Sequence, residues 1–209
     1  MKTLAIISRK GGAGKTTIAL HLAVAAEAQG IATAIFDLDP QASASLWSDH
    51  RGESIPAVIP AQSPRLPALL SQAKEQQADL VILDTAPHAD GIASDAAVHA
   101  DLILIPCRPS ALDLDAIGAS IRLARTTEKP AIVIINAAPS QGVETNEAIE
   151  AIQKAGVEVC PIVLHQRKSY ASRIHEGRTA TEIEPKGKAA DETRALLSWI
   201  CERLKLLPK

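Results

Sequence analysis

The chain has 209 residues, enough for one α/β domain with a full core, or one domain with small insertions. Apolar residues make up 46%, charged residues 22% and aromatics only 2%, so the core has to be built from Ala, Ile, Leu and Val. The formal net charge of −2 excludes a nucleic-acid binder that acts through its overall charge, and any basic surface has to be local. Branched aliphatics of this kind suit parallel strands covered by helices on both faces. Cys107, Cys160 and Cys201 are far apart, without metal-ligand spacing, and their odd number argues against a disulfide framework. The histidines are scattered and point to no role.

The first expected strand covers residues 3–8. Its apolar run is too short for a signal-peptide core, and no stretch approaches the ~20 apolar residues that span a bilayer. A cytoplasmic protein is expected. The segment Arg9-Lys10-Gly11-Gly12-Ala13-Gly14-Lys15-Thr16-Thr17 follows that strand and opens a helix over 15–29. This is the context of a phosphate-binding loop. Glycines let backbone N–H groups converge on phosphate oxygens, and the helix N-terminus adds a favourable dipole. Lys15 can reach β- and γ-phosphates, and the Thr16 hydroxyl can ligate Mg²⁺.

A second strand over 33–37 ends in Asp37-Leu38-Asp39-Pro40-Gln41, followed by a helix over 43–50. Residues 54–67 carry four prolines and read as an irregular insertion, with a short edge strand at 57–59. After a helix over 65–76, the strand over 80–84 is four apolar residues ending in Asp84, a Walker B form that suits Mg²⁺. A helix over 92–99 and a strand over 102–106 lead to Arg108-Pro109-Ser110, Asp113 and a helix over 112–126. The strand over 131–136 ends in Asn136. A helix over 146–155 and a strand over 159–164 follow. The amphipathic helix over 190–206 bears Leu196, Leu197, Ile200 and Leu204 in a stripe that continues to Leu207. Docking on the sheet explains that stripe better than membrane targeting does.

This alternation predicts one domain over 1–209: a mostly parallel twisted sheet, helices on both faces, right-handed crossovers, and ligands at the carboxyl ends of the strands.

The phosphate loop departs from the usual pattern, because Arg9 stands where Gly is expected. With Lys10 it resembles the deviant Walker A motif, K-G-G-x-G-K-[ST]-[ST], of the ParA/MinD family of P-loop ATPases. The D-x-D-P-Q segment, the Walker B strand, the turn before Asp113 and Asn136 extend the resemblance over nearly the whole chain. The ParA branch is the nearest in pattern, and no N-terminal helix-turn-helix domain is expected.

The resemblance implies an ATP- and Mg²⁺-dependent ATPase with weak intrinsic turnover. Gly11, Gly12, Ala13, Gly14, Lys15, Thr16 and Thr17 would hold the nucleotide, and Asn136 would meet adenine. Thr16, Asp37 and Asp84 would serve the metal, and Asp39 would align the attacking water. Lys10 would reach across an ATP sandwich homodimer to the partner's nucleotide, as an arginine finger does. Residues 165–188 hold Arg167, Lys168, Arg173, Arg178, Lys186 and Lys188 against three acidic residues, and relatives bind DNA non-specifically from this region.

The function implied is partitioning of plasmid or chromosome DNA on the nucleoid, with hydrolysis stimulated by a ParB-like or small adaptor protein. Membrane association is not expected. Two alternatives share the motifs: a MinD-like membrane-bound division-site regulator or protein-cargo positioner, and a dethiobiotin-synthetase-like metabolic enzyme.

Overall fold

The computed structural model describes residues 1–206. Among them, β1 (Lys2–Ile6), β2 (Thr33–Asp37), β3 (Ala57–Pro60), β4 (Leu80–Asp84), β5 (Leu102–Cys107), β6 (Ala131–Ile135) and β7 (Glu158–Val159) form one sheet. All pairings are parallel, in the order β3-β2-β4-β1-β5-β6-β7. The helices are α1 (Lys15–Glu27), α2 (Ser43–Arg51), α3 (Leu66–Glu75), α4 (Asp90–Val98), α5 (Ala111–Thr126), α6 (Glu144–Lys154), α7 (Ala180–Ile183) and α8 (Lys188–Leu204).

Alternation along the strands divides the core into two layers. Leu4 and Ile6 of β1, with Leu80 and Ile82 of β4, face α1 and α8. Ala5 and Ile7, with Val81 and Leu83, face the layer that holds α3, α4, α5 and α6. Helix α1 is buried from Ile18 to Ala26, because it lies between the sheet and α8. Its small residues Ala19, Ala23 and Ala26 permit close approach.

The apolar stripe of α8 is docked as expected: Leu196, Leu197, Ile200 and Leu204 are all buried. Leu207 lies outside the described residues. No described helix is long and apolar enough to cross a membrane. The three cysteines are free and buried. Burial pushes the Cys107 thiol up to about 12 and the Cys160 thiol up to about 11, so both are inert in the folded chain.

Two expectations change. The strand expected over 159–164 shrinks to Glu158–Val159, since Pro161 has no N–H for the ladder. The chain still runs beside β6, with Cys160 N bonded to Val133 O at 2.7 Å and Leu164 N to Ile135 O at 3.0 Å. The polar stretch 167–188 is also more ordered than its composition suggests. It holds 3₁₀ turns at Lys168–Tyr170 and Ile174–Glu176, then α7.

Candidate nucleotide site

The loop between β1 and α1 has the backbone that its glycines permit. Gly12 (φ +71°) and Gly14 (φ +97°) occupy the left-handed region. Asn136, at the end of β6, reaches under the loop and donates from Nδ2 to Ala13 O at 2.7 Å. A Cβ on Gly14 would come within 2.2 Å of that same nitrogen. Asn136 therefore braces the loop, a task the sequence does not reveal, and its Oδ1 stays available as an acceptor. Lys15 opens α1 and is buried. Desolvation lowers its pKa, while the charges of Asp84 and Asp39 act in the opposite sense.

Strand register brings the carboxylates together. Asp37 of β2 pairs directly with Asp84 of β4, and Asp84 pairs on its other side with Ile6, the last residue of β1. The two aspartates therefore stand side by side at the carboxyl edge, next to the phosphate loop. Asp84 is fully buried and neither of its oxygens has a hydrogen-bond partner among the described residues. Burial raises its pKa to about 7, with a nearby Thr16 hydroxyl opposing and Asp37 reinforcing the shift. An orphaned buried carboxylate beside a Thr hydroxyl fits Mg²⁺, a hard cation that favours oxygen ligands. Among the described residues, no group of three or more His, Cys, Asp or Glu could hold a metal ion.

Asp37 has structural work as well. Its Oδ2 accepts from Ser45 N and Ser45 Oγ, both at 2.8 Å, which fixes the first turn of α2. Its Oδ1 accepts from Asp39 N at 3.2 Å. Asp39 is partly exposed and accepts from Gln41 N at 2.9 Å.

Lys10 is half-buried and ion-paired. Its Nζ lies 2.7 Å from Oδ2 of Asp113, a buried carboxylate at the start of α5. The Ser110 side chain caps α5 and also donates to Asp113. Arg9 bridges to Asp90 of α4 at 2.9 Å and its carbonyl accepts from His88 N, so the phosphate loop is tied to the loop after the Walker B strand.

A cavity of about 560 Å³ opens beside the loop. Gly12, Gly14 and Thr17 line one part, and Asn136, Pro139, His165, Arg167 and Tyr170 line another. This volume lies in the range of small-molecule sites. Glu192 of α8 organises that wall: it accepts from His165 Nδ1 at 2.8 Å and from Arg167 Nη2 at 2.6 Å. Burial opposes its charge, but the hydrogen bonds from Arg167 and His165 outweigh burial and hold the carboxyl below its usual range. Sequence alone assigns none of this to Glu192.

The expected DNA-binding cations differ in their partners. Arg167 belongs to the cavity wall, Arg173 lies 3.7 Å from Glu176, and Arg178 lies 3.0 Å from Glu53. Lys168, Lys186 and Lys188 have no ion pair among the described residues. Arg51, at the end of α2, joins this stretch to the site: its Nη1 donates to Gly177 O at 2.9 Å and pairs with Glu182 at 2.9 Å. Helix α2 thus hangs from Asp37 at one end and holds the basic stretch at the other.

Comparison with known proteins agrees with this geometry. The chain is 28% identical over 207 residues to Maintenance of carboxysome distribution protein A from Halothiobacillus neapolitanus, covering 95% of each. It is 29% identical over 197 residues to Protein ParA from Rhizobium radiobacter, covering 89% of this chain and 88% of that one. Its fold matches the ATP complex of a Cyanothece McdA variant with a TM-score of 0.74 and 20% identity, covering 99% of this chain and 97% of that one. Residues 4–180 match the family model described as the CobQ/CobB/MinD/ParA nucleotide binding domain. The deviant phosphate loop, the paired strand-end aspartates and this match over most of its length make the chain a member of the ParA/MinD family of nucleotide-binding ATPase folds.

Proposed function

We propose that the chain is an ATP-switched positioning ATPase. It binds ATP with Mg²⁺, forms a sandwich homodimer, holds nucleoid DNA without sequence preference, and hydrolyses ATP when an adaptor on the cargo stimulates it. The observation that carries this reading is the division of labour between two lysines. Lys15 is buried and serves the chain's own nucleotide, whereas Lys10 stands on the partly exposed rim, where Asp113 is its one ion-pair partner among the described residues.

Phosphoryl transfer needs positioning and charge more than covalent chemistry. The backbone N–H groups of residues 11–16 cradle phosphate oxygens, and Lys15 neutralises the β- and γ-phosphates. Asp39 orients the attacking water. Lys10 reaches the partner's nucleotide in trans and stabilises the charge that develops there. Thr16 and Asp84, supported by Asp37, would hold Mg²⁺, which neutralises phosphate charge when bound. Loss of the γ-phosphate removes the charge that joins the two subunits.

The cargo proposed first is a plasmid or chromosome complex, in line with the likeness to Protein ParA. The likeness to the carboxysome distribution protein over 95% of the chain favours a second reading, a protein compartment carried by the same switch. A membrane-bound mode has less support, since the described part of the α8 stripe is buried.

Co-sedimentation tests the reading. With ATP, random-sequence duplex DNA should retain the protein, and with ADP it should not. Retention should fall steeply with salt, since each phosphate contact adds about 0.9 to the slope of log affinity against log salt. Equal retention with both nucleotides would contradict the switch. Retention only by anionic liposomes would replace the DNA with a membrane.

A further inference from the structure

We propose that Arg167 is a base-recognition residue: the purine of the bound nucleotide stacks on its guanidinium, whose plane Glu192 fixes. The inference rests on the nucleotide-site reading above and goes on to assign the part of the cavity that the phosphate loop does not use.

Three observations carry it. Arg167 lines the same 560 Å³ cavity as Gly12, Gly14 and Thr17, so one ligand of nucleotide size can touch both. Its Nε and Nη2 both donate to a single oxygen of Glu192, at 3.0 and 2.6 Å. That leaves one nitrogen, Nη1, and the flat faces of the guanidinium without a partner among the described residues. Glu192 is itself held on the other side, by His165 and by Tyr170 OH at 3.3 Å, so the arginine cannot swing freely.

The chemistry of this arrangement suits a ring better than a phosphate. Phosphate recognition by arginine uses the two-nitrogen fork, and here one complete fork is committed to a carboxylate. What remains is a planar, delocalised cation with its orientation set in advance, the form that stacks on aromatic faces. The pocket around it supplies Pro139 as an apolar surface and the Asn136 Oδ1 as an acceptor. Arg167 is accordingly taken out of the DNA-binding set, and the basic stretch is left with Lys168, Lys186 and Lys188 as its unpaired charges.

The test compares a ligand that has a base with one that lacks it. Binding of ATP and of inorganic tripolyphosphate, each with Mg²⁺, is measured by calorimetry for the wild type, Arg167→Ala and Arg167→Lys. Arg167→Ala should weaken ATP binding about tenfold, the scale of a desolvated stacking cation, and leave tripolyphosphate unchanged. Arg167→Lys keeps the charge beside Glu192 but has no plane, and should show the same ATP-selective loss. Equal loss for both ligands would mean a phosphate or folding role and would overturn the proposal. So would unchanged ATP affinity in Arg167→Ala, or full rescue by Arg167→Lys. A wild type that binds neither ligand would overturn the nucleotide-site reading itself, a different and recognisable failure.

Discussion

Lys10 and Asp113 are 103 positions apart in sequence and joined by a 2.7 Å ion pair. The carboxylate is 7% exposed and the lysine 35%, so a buried anion draws its counter-charge from the rim of the nucleotide site. For Lys10 to act on a partner's nucleotide it has to leave Asp113. In the proposed dimer, ATP-dependent association therefore exchanges this contact for another.

Lys10→Ala should still bind ATP as a monomer, because Lys15 and the loop backbone are untouched. It should lose ATP-dependent dimerisation and adaptor-stimulated turnover. It also leaves Asp113 buried without its cation, at a cost of about 1–3 kcal/mol in stability. Nucleotide binding, sedimentation and thermal melting separate the three effects. Normal dimerisation and turnover would remove the trans-acting role.

Asp39→Ala should bind ATP yet turn it over at least about a hundredfold more slowly, the scale at which positioned acid–base groups act. The γ-phosphate then persists and the dimer should accumulate. Light scattering during an ATP chase would follow it. A variant that binds ATP but stays monomeric speaks against the trapped state.

Gly14→Ala should abolish tight ATP binding. The new Cβ meets Asn136 Nδ2 at 2.2 Å, at a φ of +97° that side chains rarely adopt. Either Asn136 moves, releasing its bond to Ala13 O, or the loop does. The left-handed backbone alone costs roughly 1–2 kcal/mol, so a lower melting temperature is expected with or without nucleotide. Wild-type affinity in this variant would contradict the bracing role of Asn136.

The parts of the site that are contiguous in sequence were legible there. A phosphate cradle needs glycines, lysine and threonine in one loop, so residues 9–17 carried their own signal. Aspartates at the ends of β2 and β4 were legible because apolar runs that end in acid mark the carboxyl edge of a sheet. What the sequence hid is contact across the fold. Ser110 and Asp113 have the spacing of a helix cap, but nothing in sequence joins Asp113 to Lys10. Glu192 looks like one more polar residue of an amphipathic helix, and only its place beside the chain that follows β7 makes it the hub for His165 and Arg167. Helix α7 has a capping box in Thr179 and Glu182, but its single helical turn leaves no periodicity to detect.

Asp84 gives a pH signature. Its folded pKa is about 7 against 3.8 for an ordinary aspartate, raised first by burial. A carboxyl raised in this way favours the ligand-free fold below its unfolded pKa and loses that contribution as pH climbs through the folded value. Ligand-free protein should therefore lose stability from about pH 4 to 7 through this group. His21, pushed down to about 4 by burial, acts in the opposite sense below pH 6.5, so the comparison is wild type against Asp84→Asn. In EDTA at pH 7.5 the variant should melt several degrees higher, at about 2–4 °C per kcal/mol for a chain of this size. It should also lose the Mg²⁺ dependence of ATP binding. Identical melting curves across pH would show that Asp84 is not the strained carboxylate described here.

The proposed switch depends most directly on ATP, and not ADP, bringing two copies together through Lys10. Sedimentation velocity on wild type and Lys10→Ala, each with Mg²⁺ and either ATP or ADP, measures this. Asp39→Ala serves as the slow-turnover reference. The expected result is a doubled mass for wild type and Asp39→Ala with ATP, and a single-chain mass in every ADP sample and for Lys10→Ala throughout. A wild type that remains one chain at saturating ATP, or a Lys10→Ala variant that doubles like its parent, would contradict the account.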